Sequence, residues 1–167
     1  MFHLRFRHVK KQNKKHLNQI NSMIKKEAII KQVQGITLLA KSDSNHWVVM
    51  DGSDKFGGSL AGSSPKELLM MALGGCTAMD VIPILAKRKA PIENVEVRVS
   101  GNVREEHPQV FTELHIEYIF YGNGINKEDV ERAIELSTTK YCMVSAMLRP
   151  VVKLTHSYRI EPSKSTT

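Results

Sequence analysis

Hydrophobic residues along the chain follow two spacings, one typical of strands and the other typical of helices. Short runs rich in β-branched residues are closed by Gly, Asp, Asn or Ser residues, as in a meander of hairpins. In two later runs apolar and polar residues alternate, which predicts strands with one buried face. The predicted strands are 28–33, 36–40, 46–50, 95–99, 114–120 and 152–160.

The first predicted helix begins at a capping box. Ser64 is expected to be the N-cap, Pro65 the first helical residue and Glu67 the third. Residues 68–79 then have no polar face, and a helix that is apolar all round is expected to be buried all round.

Three residues inside this helix disfavour helical structure and therefore need an explanation. Gly74 and Gly75 each cost about 1 kcal/mol relative to alanine, which predicts a close approach by another backbone or helix. Pro83 removes a backbone donor and predicts a kink one turn after Cys76.

A second predicted helix begins near Asn126 and has acidic residues in its first turn, where they suit the helix dipole. It leads into residues 141–148, which contain Cys142. Its apolar residues fit one covered face: Val130, Ala133, Ile134 and Leu136.

The positive charge of the chain is concentrated at its beginning. The formal net charge is +7, and residues 1–22 contribute +6 of it, so the other residues are close to neutral. We interpret residues 1–22 as a basic, disordered extension or as upstream sequence before a start at Met23; the alternative is a nucleic-acid-binding arm. They lack the apolar stretch of a secretory signal, and no apolar run approaches the roughly 18 residues of a membrane span. Residues 162–167 are expected to be a frayed tail.

The chemistry of the chain depends on two cysteines, Cys76 and Cys142. Two cysteines are too few for a disulfide scaffold or a structural zinc site, so no metal or cofactor is expected. Both lie on predicted buried helices, and two such helices in one small core are expected to be neighbours. If the sulfurs meet, the pair can cycle between dithiol and disulfide; otherwise the cysteines are small core hydrophobes.

The two cysteine segments, taken together, resemble the OsmC/Ohr family and are most similar to its YhfA-like branch. The resemblance covers residues 23–161 and implies an α+β fold in which antiparallel sheets pack on two long central helices. It also implies an intertwined homodimer with its active sites at the dimer interface. The segments that carry the resemblance are 45–52, 64–69, 74–81, 140–142 and 155–158.

The resemblance also implies a function. The better-characterised members of the family are thiol-dependent peroxidases that reduce organic hydroperoxides, some with a dihydrolipoyl-type reductant. By resemblance, Cys76 takes the peroxidatic position and Cys142 the resolving one. The expected protein is cytoplasmic, takes a small apolar hydroperoxide and an external dithiol reductant, and acts in oxidative-stress defence without membrane or nucleic-acid partners.

The sequence departs from the peroxidase branches at the residues that activate the thiol. There, an arginine from the early strands is held by a glutamate ten residues before the cysteine. Here that position is Lys66, and Glu67 is shifted by one residue, a rotation of about 100° on a helix. No arginine lies between Arg7 and Arg88. Lys66 and Glu67 are therefore the candidates for cationic or acidic support, with Lys31, Lys41 and Lys55 as further lysines.

These departures leave a second function open. A non-enzymatic protein would hold a hydrophobic small molecule in the apolar cleft at the dimer interface, or the cysteines would act as a redox sensor.

Overall fold

The computed structural model describes residues 24–163 of the chain. This part forms two compact units, the first ending at Ser63 and the second beginning at Ser64. The predicted extension, residues 1–22, lies outside the described residues, as do Met23 and residues 164–167 of the predicted tail. Ser163, in that tail, donates a hydrogen bond to Glu93 and accepts one from Asn123.

The first unit contains a three-stranded antiparallel sheet in the order β1–β2–β3. Gly35 has a φ of +54°, which suits the tight turn between β1 and β2. The elements confirm the three strands predicted in this region, and β1 is exposed along its whole length. They are β1 Ala28–Gln34, β2 Thr37–Ser42, β3 Val48–Met50 and a 3₁₀ turn, Asp54–Phe56.

The loop after β3 folds around the buried carboxylate of Asp51. This carboxylate accepts hydrogen bonds from the N–H groups of Gly52, Ser59 and Ala61 and from the hydroxyls of Ser59 and Thr37. The Ser59 hydroxyl and the N–H donors favour the charged form more than burial disfavours it, so the pKa of Asp51 lies well below its usual range.

Asp51 is expected to make the stability of the protein sensitive to acid. Because its pKa is lower in the folded chain, it stabilises the fold above the unfolded value of about 3.9, and this stabilisation is lost as the pH falls below that value. Asp51→Asn is therefore expected to lower the urea midpoint at about pH 7, with the gap to wild type narrowing at about pH 3. The exposed Asp54→Asn serves as the control; a gap for Asp51→Asn that is constant with pH contradicts the prediction.

The second unit contains a long helix, a mixed three-stranded sheet and two shorter helices. Strand β4 pairs antiparallel with β5, and β5 pairs parallel with β6. The prediction that the sheets are antiparallel is therefore wrong for β6, which follows a helical crossover, the connection that a parallel pair requires. The elements are α1 Pro65–Lys87, β4 Asn94–Val103, β5 Phe111–Tyr121, α2 Lys127–Leu136, a π-helical turn Ser137–Tyr141, α3 Met143–Leu148 and β6 Lys153–Glu161.

Helix α1 begins as predicted and is 23 residues long. The Ser64 N–H donates to Glu67 Oε2 at 2.6 Å, and the Glu67 N–H donates to Ser64 Oγ at 3.4 Å. The second predicted helix, α2, begins after Asn126, whose side chain caps the N–H of Glu128 at 2.9 Å. The resemblance implies two long central helices. In this chain α1 is long, with 23 residues, whereas α2 has only 10.

The buried core of the described residues lies in the second unit, where α1 and α2 pack against each other and α1 packs on the sheet. The expectation that α1 is buried all round is wrong for a single chain: Met71, Met79 and Ile82 are 56%, 78% and 49% exposed. The core residues of α1, β5 and α2 are Leu73, Val81, Leu85, Phe111, Leu114, Ile116, Tyr118, Phe120, Val130, Ala133 and Ile134.

By length and composition alone helix α1 could cross a membrane, although it contains no uninterrupted apolar run of about 18 residues. The sequence expectation counted uninterrupted apolar residues. An 18-residue window of α1 nevertheless has a high mean hydropathy, even though the helix contains Asp80. The core helix of a globular protein has the same composition, and one side of α1 lies in such a core.

The two glycines of α1 differ in their surroundings. A Cβ on Gly74 would lie 3.0 Å from a methyl carbon of Val99 on β4, so a neighbour does approach closely, but it is a strand side chain and not the backbone or helix that was predicted. A Cβ on Gly75 would meet nothing within 4 Å, so within the described chain the same prediction is wrong for Gly75.

Candidate functional site

The two cysteines meet in the second unit, together with one carboxylate. The Sγ atoms of Cys76 and Cys142 and a carboxylate oxygen of Asp80 all lie within 4.8 Å of one another. Both cysteines are free thiols. The hypothesis that the cysteine segments are neighbours is confirmed, and a disulfide, whose sulfurs are about 2.05 Å apart, requires the two sulfurs to approach each other further.

A π-helical turn and the start of α3 position Cys142. The Cys142 N–H donates to the carbonyl of Ser137 at 2.9 Å, which closes the π-helical turn. Cys142 is the N-cap of α3, and its Sγ accepts hydrogen bonds from the Ser145 hydroxyl at 3.1 Å and the Ser145 N–H at 3.4 Å. With 3% of its surface exposed, Cys142 is the more buried of the two thiols.

The surroundings of Cys76 raise the pKa of its thiol. Burial is the main cause, and the neighbouring Cys142 adds to it, whereas hydrogen bonds from the backbone N–H groups of Val144 and Met143 act in the opposite direction. None of these groups is a cation. Cys76 is therefore mostly protonated near neutral pH, and its nucleophilic thiolate is a minor form.

Cys76 is expected to react slowly with iodoacetamide near neutral pH and faster as the pH rises beyond the ordinary range of a cysteine. The reason is that only the thiolate attacks the reagent. Peptide mass spectrometry gives the extent of reaction at Cys76 and Cys142 separately, and the unfolded protein in urea is the reference for an unperturbed thiol. Faster alkylation of Cys76 in the folded protein than in urea at neutral pH would contradict the prediction.

A chain of buried hydroxyl groups connects the site to the sheet. Ser137 Oγ donates to the Asp80 carboxylate at 3.0 Å and lies 3.0 Å from the hydroxyl of Thr77, which also contacts the hydroxyl of Tyr118. Because the carboxylate only accepts, protons point from Tyr118 through Thr77 and Ser137 towards Asp80. Burial raises the pKa of Tyr118 to about 12. These hydrogen bonds between side chains hold α1, β5 and the π-helical turn in place relative to one another near Cys76.

A cavity of about 380 Å³ is lined by Cys142 but not by Cys76 or Asp80. Apolar groups of Met143 and Met147 line it together with the cationic residues Lys140 and Arg149. Arg149 donates a hydrogen bond to the carbonyl of Thr138 in the π-helical turn. The lining is therefore mixed, with apolar, hydroxyl and cationic groups.

The candidate support residues Lys66 and Glu67 do not lie at the thiols in this chain. Helix α1 rises about 1.5 Å per residue, so the Cα atom of Lys66 is about 15 Å from that of Cys76 along the axis. Glu67 is occupied in the capping box, and hydrogen bonds from Ser64 hold the pKa of its carboxyl below the usual value. Of the other lysines, Lys31 and Lys41 lie in the first unit over the ring of Trp47: Nζ is 6.0 and 5.0 Å from the ring centroid.

The sequence reasoning missed Asp80 and the hydroxyl chain. Asp80 follows Cys76 by four residues, the spacing that places two side chains on one helix face, so a signal for it was present. Thr77, Tyr118 and Ser137 lie far apart in sequence and carry no shared motif, and only the fold brings them together.

Comparison of the sequence and the fold with known proteins identifies a family to which the chain is similar. Residues 56–157 match the family model described as OsmC-like protein. The chain is 40% identical over 134 residues to protein YhfA of Escherichia coli K12, covering 80% of this chain and 97% of that protein. Among solved structures, a hypothetical protein from Aquifex aeolicus VF5 is 30% identical with a TM-score of 0.74, covering 85% of this chain and all of that one. An organic hydroperoxide resistance protein from Elizabethkingia anophelis shares the fold at 15% identity and a TM-score of 0.64, covering 84% of this chain and 99% of that one.

Proposed function

The chain belongs to the OsmC-like protein family, and from that premise we propose that it reduces organic hydroperoxides with Cys76 and Cys142 as a redox pair. The observation that carries the proposal is the proximity of the two sulfur atoms, which lie within 4.8 Å of each other. The cavity at Cys142 has apolar groups of Met143, Ala146 and Met147 in its mixed lining, which can contact the organic part of a hydroperoxide. The proposed reaction would serve oxidative-stress defence, and we propose that it takes place in the cytoplasm.

In the proposed reaction Cys76 is the attacking residue, because it is more exposed than Cys142. Its thiolate attacks the terminal oxygen of the hydroperoxide, the O–O bond breaks, and the alkoxide leaves and takes a proton to become the alcohol. Cys76 is then a sulfenic acid. The Cys142 sulfur attacks the Cys76 sulfur, water leaves, and a disulfide forms; an external dithiol reduces it and is itself oxidised.

Within residues 24–163, the backbone N–H groups of Met143 and Val144 are the groups that lower the pKa of the Cys76 thiol and so favour its thiolate. Because Lys66 and Glu67 lie too far along α1 to reach Cys76, any support from them requires a second copy of the chain. The proposed enzyme is therefore a homodimer in which the partner completes the site.

Two uncovered apolar surfaces favour such a dimer. The first unit exposes Ile29, Ile30 and Val33 of β1 by more than half of their surface. The second unit exposes Met71 and Met79 of α1 in the same way. A second copy of the chain, intertwined with the first, would remove these apolar surfaces from water, which is favourable in proportion to the area buried.

Gly75 gives a test of this dimer, because it lines an open groove of about 420 Å³ with Met70 and Met71. In a single chain Gly75→Ala has room and adds about 1 kcal/mol of helix stability. If a partner packs at Gly75, overpacking by about 1–3 kcal/mol weakens the dimer by about 5-fold to 150-fold. We expect sedimentation velocity to show that weakening.

Gly74→Ala is the matched control, because its Cβ would press on Val99 within the chain. It is expected to lower the melting temperature of the protein without a specific effect on dimerisation. A Gly75→Ala protein that dimerises as wild type and melts at a higher temperature contradicts a partner at this groove.

One observation favours a second function, a redox sensor or a non-enzymatic binder of a hydrophobic small molecule. The raised pKa of Cys76, with no cation among the groups that shift it, is typical of a slow thiol. Native mass spectrometry of protein purified from its own host would detect a retained apolar molecule.

Stopped-flow consumption of tert-butyl hydroperoxide by the reduced protein tests the peroxidase proposal. Wild type is expected to consume hydroperoxide and to lose two thiols as one disulfide forms, whereas Cys76→Ser consumes none above the buffer rate. Equal rates for wild type and Cys76→Ser would reject the peroxidase and leave the binder.

A further inference from the structure

We propose that the reduced site is also a binding site for a soft divalent cation, best matched by Zn²⁺, with Cys76, Cys142 and Asp80 as its ligands. This inference rests on the same pair of thiols as the proposed function. It needs only their geometry and the carboxylate beside them, not their reaction with a peroxide.

The first argument is the donor set and its spacing. Zinc binds cysteine sulfur at about 2.3 Å and carboxylate oxygen at about 2.0–2.2 Å, so two sulfurs on one tetrahedral ion lie about 3.8 Å apart. The three ligand atoms here already lie within 4.8 Å of one another, and closing on an ion requires movements of about 1 Å. Two thiolates make the site soft, which selects zinc over Mg²⁺ and Ca²⁺.

The second argument is that the ligands are held in place before an ion arrives. Cys76 and Asp80 are four residues apart on α1 and share one helix face. Ser137 donates a hydrogen bond to the Asp80 carboxylate and Ser145 donates two to the Cys142 sulfur. Hydrogen bonds of this kind to ligand atoms orient metal ligands in known sites.

The third argument is charge. Asp80 forms no ion pair with any residue between 24 and 163, and its one hydrogen-bond donor there is Ser137. A carboxylate beside two ionisable sulfurs is a place where a cation is favoured. Lys87 and Arg88 line a cavity together with Asp80, but neither of them forms an ion pair with Asp80.

The fourth argument is access. Three protein ligands leave one tetrahedral position open, as in zinc sites that bind water or a small ligand. Cys142 lines a cavity of about 380 Å³ and Asp80 lines another of about 420 Å³, so two of the three proposed ligands border open space from which an ion can enter.

The binding step balances without any oxidant or reductant. One Zn²⁺ replaces the protons of the Cys76 and Cys142 thiols, and both protons pass to buffer. The Asp80 carboxylate is the third ligand, and the ion with its three ligands then carries a net charge of −1. No electrons move. Because the same sulfurs are occupied, bound zinc protects the pair from oxidation until a chelator or a competing thiol removes the metal.

Co²⁺ is the probe for the proposed site, because cobalt bound to thiolates absorbs in the near ultraviolet and cobalt bound only to nitrogen or oxygen does not. The full reduced chain is expected to develop this absorption and to lose it when Zn²⁺ is added. Sulfur-specific absorption is the right readout, since His3, His8 and His16 offer other ligands to a metal. No such absorption in wild type overturns the proposal.

The variants assign the ligands. Cys76→Ser and Cys142→Ser are expected to abolish the thiolate absorption, and Asp80→Asn to weaken zinc affinity by about tenfold to a hundredfold. Asp129→Asn is the matched control, because its carboxylate pairs with Arg88 instead. Absorption that survives in Cys76→Ser, or equal affinities for Asp80→Asn and Asp129→Asn, overturns the assignment of that ligand.

A measurement on wild type alone keeps the proposal testable if a variant fails to fold. Zn²⁺ is expected to slow the reaction of both thiols with a thiol reagent at least tenfold, whereas Mg²⁺ has no effect; equal rates with either metal contradict the site. Hydroperoxide consumption, measured separately with a chelator present, distinguishes the two proposals. Consumption without a cobalt–thiolate band rejects only the metal site, and a band without consumption rejects only the peroxidase.

Discussion

Cys76→Ser is expected to lower the rate of hydroperoxide consumption by on the order of 1000-fold or more, because it removes the attacking sulfur. Cys142→Ser is expected to keep the first oxidation step and to stop there. Without an external thiol, its Cys76 remains a sulfenic acid that a sulfenic-acid reagent labels, whereas wild type proceeds to the disulfide.

Mass spectrometry of the oxidised proteins separates these results. Wild type loses two hydrogens, Cys142→Ser gains one oxygen, and Cys76→Ser is unchanged. The two cysteines are matched controls for each other, since each variant removes one sulfur and leaves the other. A Cys76→Ser protein that gains oxygen at Cys142 would show that the roles are reversed, which contradicts the assignment based on exposure.

The parts of the fold that follow from local sequence were predictable. The capping box at Ser64 and Glu67 fixed the start of α1, because two hydrogen bonds between near neighbours decide it. Alternation of apolar and polar residues located β4 and β5. The direction of β6 was not predictable in this way, because a strand pattern is the same for parallel and antiparallel pairing and only the crossover decides between them.

The candidate site was predictable in its two sulfurs but not in the groups around them. The proximity of Cys76 and Cys142 could be expected from two helices sharing one core. The hydroxyls of Thr77 and Tyr118 meet across 41 residues of sequence, and no local pattern encodes such a contact. Met79 shows a case where a local pattern predicted too much burial. The apolar composition of α1 predicts that the helix is covered on all sides, but Met79 is exposed because no other surface of the described chain covers it.

The apolar core under the site gives the largest expected effect on stability, at Phe120. Its side chain is fully buried, and its ring is parallel to that of Tyr118, with the centroids 6.1 Å apart. Phe120→Ala is expected to lower the free energy of unfolding by about 3–5 kcal/mol, because it removes buried apolar area and leaves a cavity that β5 cannot close. For a chain of this size the melting temperature falls by about 6–20 °C.

The exposed Phe56 is the matched control for Phe120, because the same ring there is 76% exposed. Phe56→Ala is expected to change the free energy of unfolding by no more than about 0.5 kcal/mol. Thermal melting followed by circular dichroism measures both variants. Since Phe120 also supports Tyr118, at the sheet end of the hydroxyl chain that reaches Asp80, its loss is expected to loosen the dithiol site below the melting temperature. Faster alkylation of Cys76 in Phe120→Ala than in Phe56→Ala at the same pH reports that loosening, and equal rates would mean that α1 holds Cys76 without help from β5.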